Sequence, residues 1–146
     1  MTVNRVTYTL ESSLDSVNQA EKSAELFAEK AGFDSENCQS IGMAVREAVV
    51  NAVLHGNAYD HAKRVTLSYE MVGYDLVIRV TDQGKGLDPR NIPNPLEPEN
   101  LLKQSGRGIF LIRAFMDEVN FRELHPGTEV TLIKHITQPI NKESSQ

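Results

Sequence analysis

Arg46-Glu47-Ala48-Val49-Val50-Asn51-Ala52-Val53-Leu54-His55-Gly56 is the stretch on which the reading of this chain turns. Ile41, Val45, Ala48, Val49, Ala52 and Val53 recur at helical spacing and make one strongly apolar side. Glu47, Asn51 and His55 step by four and form a polar stripe on the same helix. Ala44, Ala48 and Ala52 beside that stripe are small enough to admit close approach. An amide oxygen suits magnesium, a hard cation that prefers oxygen ligands. A carboxylate one turn away can orient or deprotonate a nucleophile. The same stripe also fits an ordinary solvated helix face, so this helix does not decide the matter by itself. The spacing predicts a helix from Ser35 to about His55, stopped at Gly56.

Outward toward the N-terminus, Leu14 to Ala31 reads as a first helix, with Val17, Ala20, Ala24, Phe27, Ala28 and Ala31 on one side. Ser12 and Ser13 are candidate caps, and Gly32 is the stop. Val3 to Leu10 alternates as a strand does. Outward toward the C-terminus, Val65–Met71 and Leu76–Thr81 read as a hairpin turned at Gly73. Pro89 to Gln104 holds four of the chain's six prolines and reads as a long loop, a common form for a functional lid. A helix over Ile109–Met116 follows, then strands over Val119–Leu124 and Glu129–Ile133, turned at His125 to Thr128. The expectation is an α+β two-layer sandwich with a mixed, mostly antiparallel sheet. It forms one domain over residues 1–136, with a polar tail over 137–146.

Bulk properties exclude several classes. The chain has 146 residues and a net charge of −5, which argues against a nucleic-acid binder. No apolar run approaches the roughly 18 residues of a membrane span. Met1 to Leu10 is alternating and polar, unlike a secretory leader. Cys38 is the only cysteine, so no internal disulfide forms, which fits a reducing cytoplasm.

Three further motifs follow the helix in order. Asp82-Gln83-Gly84-Lys85-Gly86 comes directly after an apolar strand, where an aspartate can accept a hydrogen bond from an amino group. Its glycines permit close backbone approach to a ligand, although Asp and Gly also make plain turns. Gly106-Arg107-Gly108 opens a helix, and free N–H groups there bind phosphate, with Arg107 as a charge-assisted donor. A flexible hinge is the plainer reading. Gly127-Thr128 lies between two strands, where the Thr128 hydroxyl could approach a base edge, or simply follow a turn. Each motif has an ordinary explanation, and their joint occurrence in this order is much harder to obtain by chance.

Taken together, these segments resemble the Bergerat-fold (GHKL) ATP-binding domain of DNA gyrase, histidine kinases and mismatch-repair ATPases. Glu47 to Asn57 resembles the N box, Asp82 to Gly86 and Gly106 to Gly108 the two glycine boxes, and Gly127-Thr128 the last adenine-side motif. R-E-A-V-V-N-A-V-L-H-G and G-R-G-I-F-L-I-R-A-F-M-D-E-V further resemble the serine kinase/anti-sigma factors of bacterial partner-switching systems. The resemblance implies ATP and Mg2+ as cofactors, with Asn51 on the metal and His55 in the same box. It implies Asp82 on the adenine amino group with Thr128 in support, and Gly84 and Gly86 shaping the adenine pocket. Gly106, Arg107 and Gly108 would hold phosphates beneath the loop, and Glu47 would be the general base. It implies a STAS-domain anti-sigma-factor antagonist as substrate, a sigma factor as second partner, and a homodimer. Gln104 stands where some such kinases carry a basic residue, which motivates an alternative: a nucleotide-gated binding module without efficient transfer. A histidine-kinase catalytic domain is disfavoured, because no helix pair bearing an acceptor histidine is present.

Overall fold

The computed structural model of the chain describes residues 5–58, 60–84 and 104–136, and of residues 104–107 the backbone only. Strand β1 (Val6–Glu11) leads into helix α1 (Leu14–Ala31) and helix α2 (Ser35–Val50), which continues as a π-helical segment, Asn51–Gly56. Strands β2 (Arg64–Val72) and β3 (Asp75–Thr81) follow, then helix α3 (Gln104–Phe115) and strands β4 (Glu118–Glu123) and β5 (Thr128–His135).

The five strands pair in the order β1-β2-β3-β5-β4. Every described pairing is antiparallel, so the parallel component that the sequence expectation allowed is not found among the described residues. Register lines up Val6, Tyr69, Ile78, Leu132 and Val119 across the sheet. Tyr69, Ile78 and Leu132 in that row are buried in the core. The next row, Ser68, Arg79, Thr131 and Asn120, faces the other way, as strand alternation requires. Truncating Ile78 to alanine would cost about 2–5 kcal/mol.

Helices α1 and α2 lie against one another through small residues: Ala20, Ala24 and Ala28 on one, Ala44 and Ala48 on the other, all buried. Phe27 of α1 stacks on Tyr69 with ring centroids 5.2 Å apart, seating the helix pair on the sheet. Arg46 donates to Asn18 Oδ1 at 2.8 Å and to Glu21 Oε1 at 3.1 Å, fixing α2 against α1. Gly32 ends α1 in the left-handed region at φ 108°, donating to Ala28 and Glu29 carbonyls. Asp34 caps α2 by accepting from the Asn37 N–H at 2.8 Å. Ser13 stands at the α1 N-cap, without a side-chain cap bond.

Two element boundaries differ from the sequence expectation. The α geometry of α2 stops at Val50 rather than near His55, and the Asn57 N–H reaches back five residues to the Ala52 carbonyl at 2.8 Å. Single π turns of this kind occur where tertiary contacts outcompete the ordinary ladder. Helix α3 begins at Gln104, not Ile109, and takes Gly106 to Gly108 inside it. Glycine weakens a helix by about 1 kcal/mol each, and the packing of α3, with Ile112 fully buried, overrides that cost. The proline-rich loop lies outside the described residues except for Gln104.

Candidate nucleotide and phosphoryl-transfer site

The site is assembled from the C-terminal half of α2, the end of β3, the start of β5 and the first turns of α3. Glu47 and Asn51 are half-buried on α2 and at its junction with the π segment. Both point at Gly108: a Cβ added there would lie 3.0 Å from Glu47 Oε1 and 3.5 Å and 3.6 Å from the Asn51 amide atoms. The glycine is what keeps this space open. The backbone of Gly106 and Arg107 occupies the first turn of α3, where N–H groups have no helical partner.

At the other end, Asp82 follows β3 and is buried. Antiparallel register sets it opposite Thr128, also buried, and the Asp82 N–H donates to the Thr128 carbonyl at 3.0 Å. The Gly84 N–H donates to Asp82 Oδ1 at 2.9 Å. Burial pushes the Asp82 carboxyl above its ordinary range, opposed in part by the N–H groups of Gly84 and Thr128 and by the charge of Lys63.

The backbone closes tightly around this carboxylate. A Cβ on Gly56 would collide with the Asp82 carboxylate, one on Gly84 with the Gly56 carbonyl, and one on Gly127 with the Asp82 carbonyl. Gly127 also holds φ at +105°, which disfavours any side chain. The end of the π segment therefore abuts the Asp82 turn directly. Asn57, buried, accepts from the Gln83 N–H at 2.8 Å and donates to Ser12 Oγ at 2.9 Å and the Arg64 carbonyl at 3.0 Å.

Of the sequence-expected residues, the structure gathers Glu47, Asn51 and Gly108 at one end, and Asp82, Gly84 and Thr128 at the other. His55 is exposed on the π segment, and no hydrogen bond among the described residues joins it to either group. Gly86 lies outside the described residues, as does the Arg107 side chain. Gly56, Asn57 and Gly127 fall within the quoted motifs, but the sequence assigns none of them a site role of its own. The packing of Gly56 and Gly127 on Asp82 depends on strand pairing and on the π turn, and neither leaves a local signal.

The groups present suit a nucleotide. A buried carboxylate at a strand end can accept from an exocyclic amino group, and Gly108, lacking a Cβ, leaves room before Glu47 and Asn51. Among the described residues no cluster of three or more His, Cys, Asp or Glu could cage a metal. A cation here would rest on the Asn51 oxygen together with phosphates and water, the usual habit of magnesium. On the outer face of the sheet, Arg5, Glu70, Arg79, Asn120 and Arg122 line a shallow depression of about 530 Å3. Arg79 and Arg122 are paired there with Glu70 at 3.0 Å and Glu129 at 3.1 Å, so it offers little charge to a ligand.

Comparison with known proteins gives a consistent picture. Residues 10–134 match the profile of a histidine kinase-like ATPase domain. An anti-sigma F factor of Anoxybacillus flavithermus is 36% identical over 103 residues, spanning 67% of this chain and 69% of its own. A serine-protein kinase RsbW of Listeria innocua is 26% identical across 98% of this chain and 94% of its own. Among solved structures, a Mycobacterium tuberculosis protein with RsbU and RsbW domains superposes with a TM-score of 0.69 at 20% identity. That match covers 93% of this chain and 33% of the other, so it carries the fold. Among the described residues no helix is long and apolar enough to cross a membrane.

Proposed function

The chain belongs to the histidine kinase-like ATPase domain family, and from that premise we propose that it is an ATP-dependent protein-serine kinase and anti-sigma factor. One observation carries the reading: a single helical rod holds Glu47 and Asn51 against Gly108 and, at its far end, Gly56 against the buried Asp82. This arrangement supports a reading with base recognition at one end of the element and phosphoryl chemistry at the other.

The proposed roles follow. Asp82 accepts from the adenine amino group, with Thr128 beside it; Gly84 lets the Gly56 backbone close on the Asp82 turn and its N–H holds the carboxylate, and Gly86 shapes the adenine pocket. Gly106, Arg107 and Gly108 hold the phosphates, and Asn51 holds Mg2+, with His55 in the same box. Bound MgATP supplies the γ-phosphoryl group and the charge neutralisation that phosphoryl transfer chiefly needs. Glu47 orients the attacking serine hydroxyl and takes its proton as the new O–P bond forms and the bond to the β-phosphate oxygen breaks, releasing ADP. The serine is proposed to sit on a STAS-domain antagonist, and a sigma factor to be the partner held inactive, by a homodimer in the cytoplasm.

The test is incubation with labelled MgATP and STAS proteins of the same genome, alongside Glu47→Ala. Label on a serine with the wild type only is the expected result. Saturable nucleotide binding with no transfer to any candidate would replace the kinase by a nucleotide-gated binding module.

A further inference from the structure

The Asn57 side chain makes three hydrogen bonds while the residue is almost wholly inaccessible, at 1% exposure. Its Oδ1 accepts from the Gln83 N–H, next to Asp82 in the chain. Its Nδ2 is anchored on Ser12 Oγ and the Arg64 carbonyl, at the end of β1 and the start of β2. The Ser12 hydroxyl donates to the Lys63 carbonyl at 2.7 Å, and Gln83 returns through Oε1 to accept from the Arg64 N–H at 2.6 Å. The amide thus ties the turn that carries Asp82 to two sheet strands, from the residue directly after the π segment.

A buried amide with every arm engaged fixes both its own orientation and that of the peptide it grips. The peptide it grips here is Asp82–Gln83. Rotation of that peptide would swing the Asp82 carboxylate, which discriminates an amino donor from a carbonyl acceptor only when held in place. A site built around one hydrogen bond rejects the analogue lacking it, provided the group cannot turn away.

We propose that Asn57 is a positioning residue for base selection: it holds the Asp82 turn so that adenine is accepted and guanine refused. This rests on the nucleotide reading of the site given above. Nothing in the proposal requires Asn57 to touch the nucleotide.

The test measures ATP and GTP affinity and melting temperature for the wild type, Asn57→Ala and Tyr69→Phe. Tyr69 makes buried hydroxyl bonds to Ser23 Oγ at 2.7 Å and the Ala20 carbonyl at 3.2 Å, remote from Asp82, and serves as a matched loss of stability. Both variants are expected to melt lower. Only Asn57→Ala is expected to bind ATP at least tenfold more weakly and lose most of the preference over GTP, with kcat at saturating ATP little changed. If Asn57→Ala does not fold, Asn57→Ser, which shortens the reach to Gln83, carries the same expectation. A preserved ATP-to-GTP ratio in the folded Asn57 variant would overturn the proposal and leave the nucleotide reading intact. A wild type that binds neither nucleotide would overturn both.

Discussion

Glu47 and Asp82 are two carboxylates with opposite demands, and each yields a prediction at the level of the single residue. Glu47 is half-buried and faces open space kept by Gly108. Removing a positioned general base costs about 10²–10⁴ in rate. Glu47→Gln is therefore expected to lower phosphate transfer by that factor while nucleotide affinity, read by titration, stays within about twofold. In the role proposed for it, Asp82 is charged in a place that disfavours charge. Its raised pKa means the folded protein binds a proton more tightly than the unfolded chain does. The stability tied to that proton is fully present below the unfolded value and is lost as pH rises through the folded one. At neutral pH the ionised carboxylate is thus a cost to folding. Asp82→Asn should melt higher than the wild type at neutral pH in the absence of nucleotide, and bind ATP roughly ten- to a hundredfold more weakly, as loss of a charged hydrogen bond of about 1.5–3 kcal/mol implies. Wild-type affinity should fall as pH drops through the raised value, and that dependence should vanish in Asp82→Asn.

The elements show where a local signal suffices and where it fails. Helix α1 is legible because its alanines and Gly32 carry the whole message: the expected Leu14–Ala31 is the observed span. The β2–β3 hairpin is legible because alternation and Gly73, at φ 62°, agree. The end of α2 is not, since residues 51–56 keep a helical pattern while Gly56 and Asn57 are drawn to the Asp82 turn, and only that tertiary contact selects the π geometry. The start of α3 is obscured by two glycines that weaken a helix, of which Gly108 leaves space before Glu47 and Asn51. Gly108→Ala separates the two effects. Alanine should favour α3 by about 0.5–1 kcal/mol, but its Cβ would press on Glu47 Oε1 at 3.0 Å. The expected outcome is an unchanged or higher melting temperature with transfer reduced at least tenfold. Equal loss of stability and transfer would mean that Gly108 is needed for packing and not for the space before Glu47.

At the scale of the whole molecule, the candidate site was legible as an ordered set of motifs, but its closeness was not. Residues 47–57, 82–84, 108 and 127–128 meet only because β5 inserts between β3 and β4 and sets Thr128 opposite Asp82. A ligand that bridges these segments exists only in the folded state, so it must stabilise the fold as a unit. At a free concentration a hundred times Kd, the gain is about 2.7 kcal/mol. For a domain of this size each kcal/mol is worth roughly 2–4 °C, so MgATP should raise the melting temperature by about 5–11 °C. Chelating the metal should remove part of that shift, because Asn51 would then hold the phosphates without a bridging cation. Asp82→Asn should remove about half of it or more, despite its higher starting point, because the base end loses its charged acceptor. A thermal scan of both proteins with and without MgATP reads all of this at once. If the wild type gains nothing at millimolar MgATP, the two ends of the rod do not share one ligand, and the nucleotide reading of the site falls.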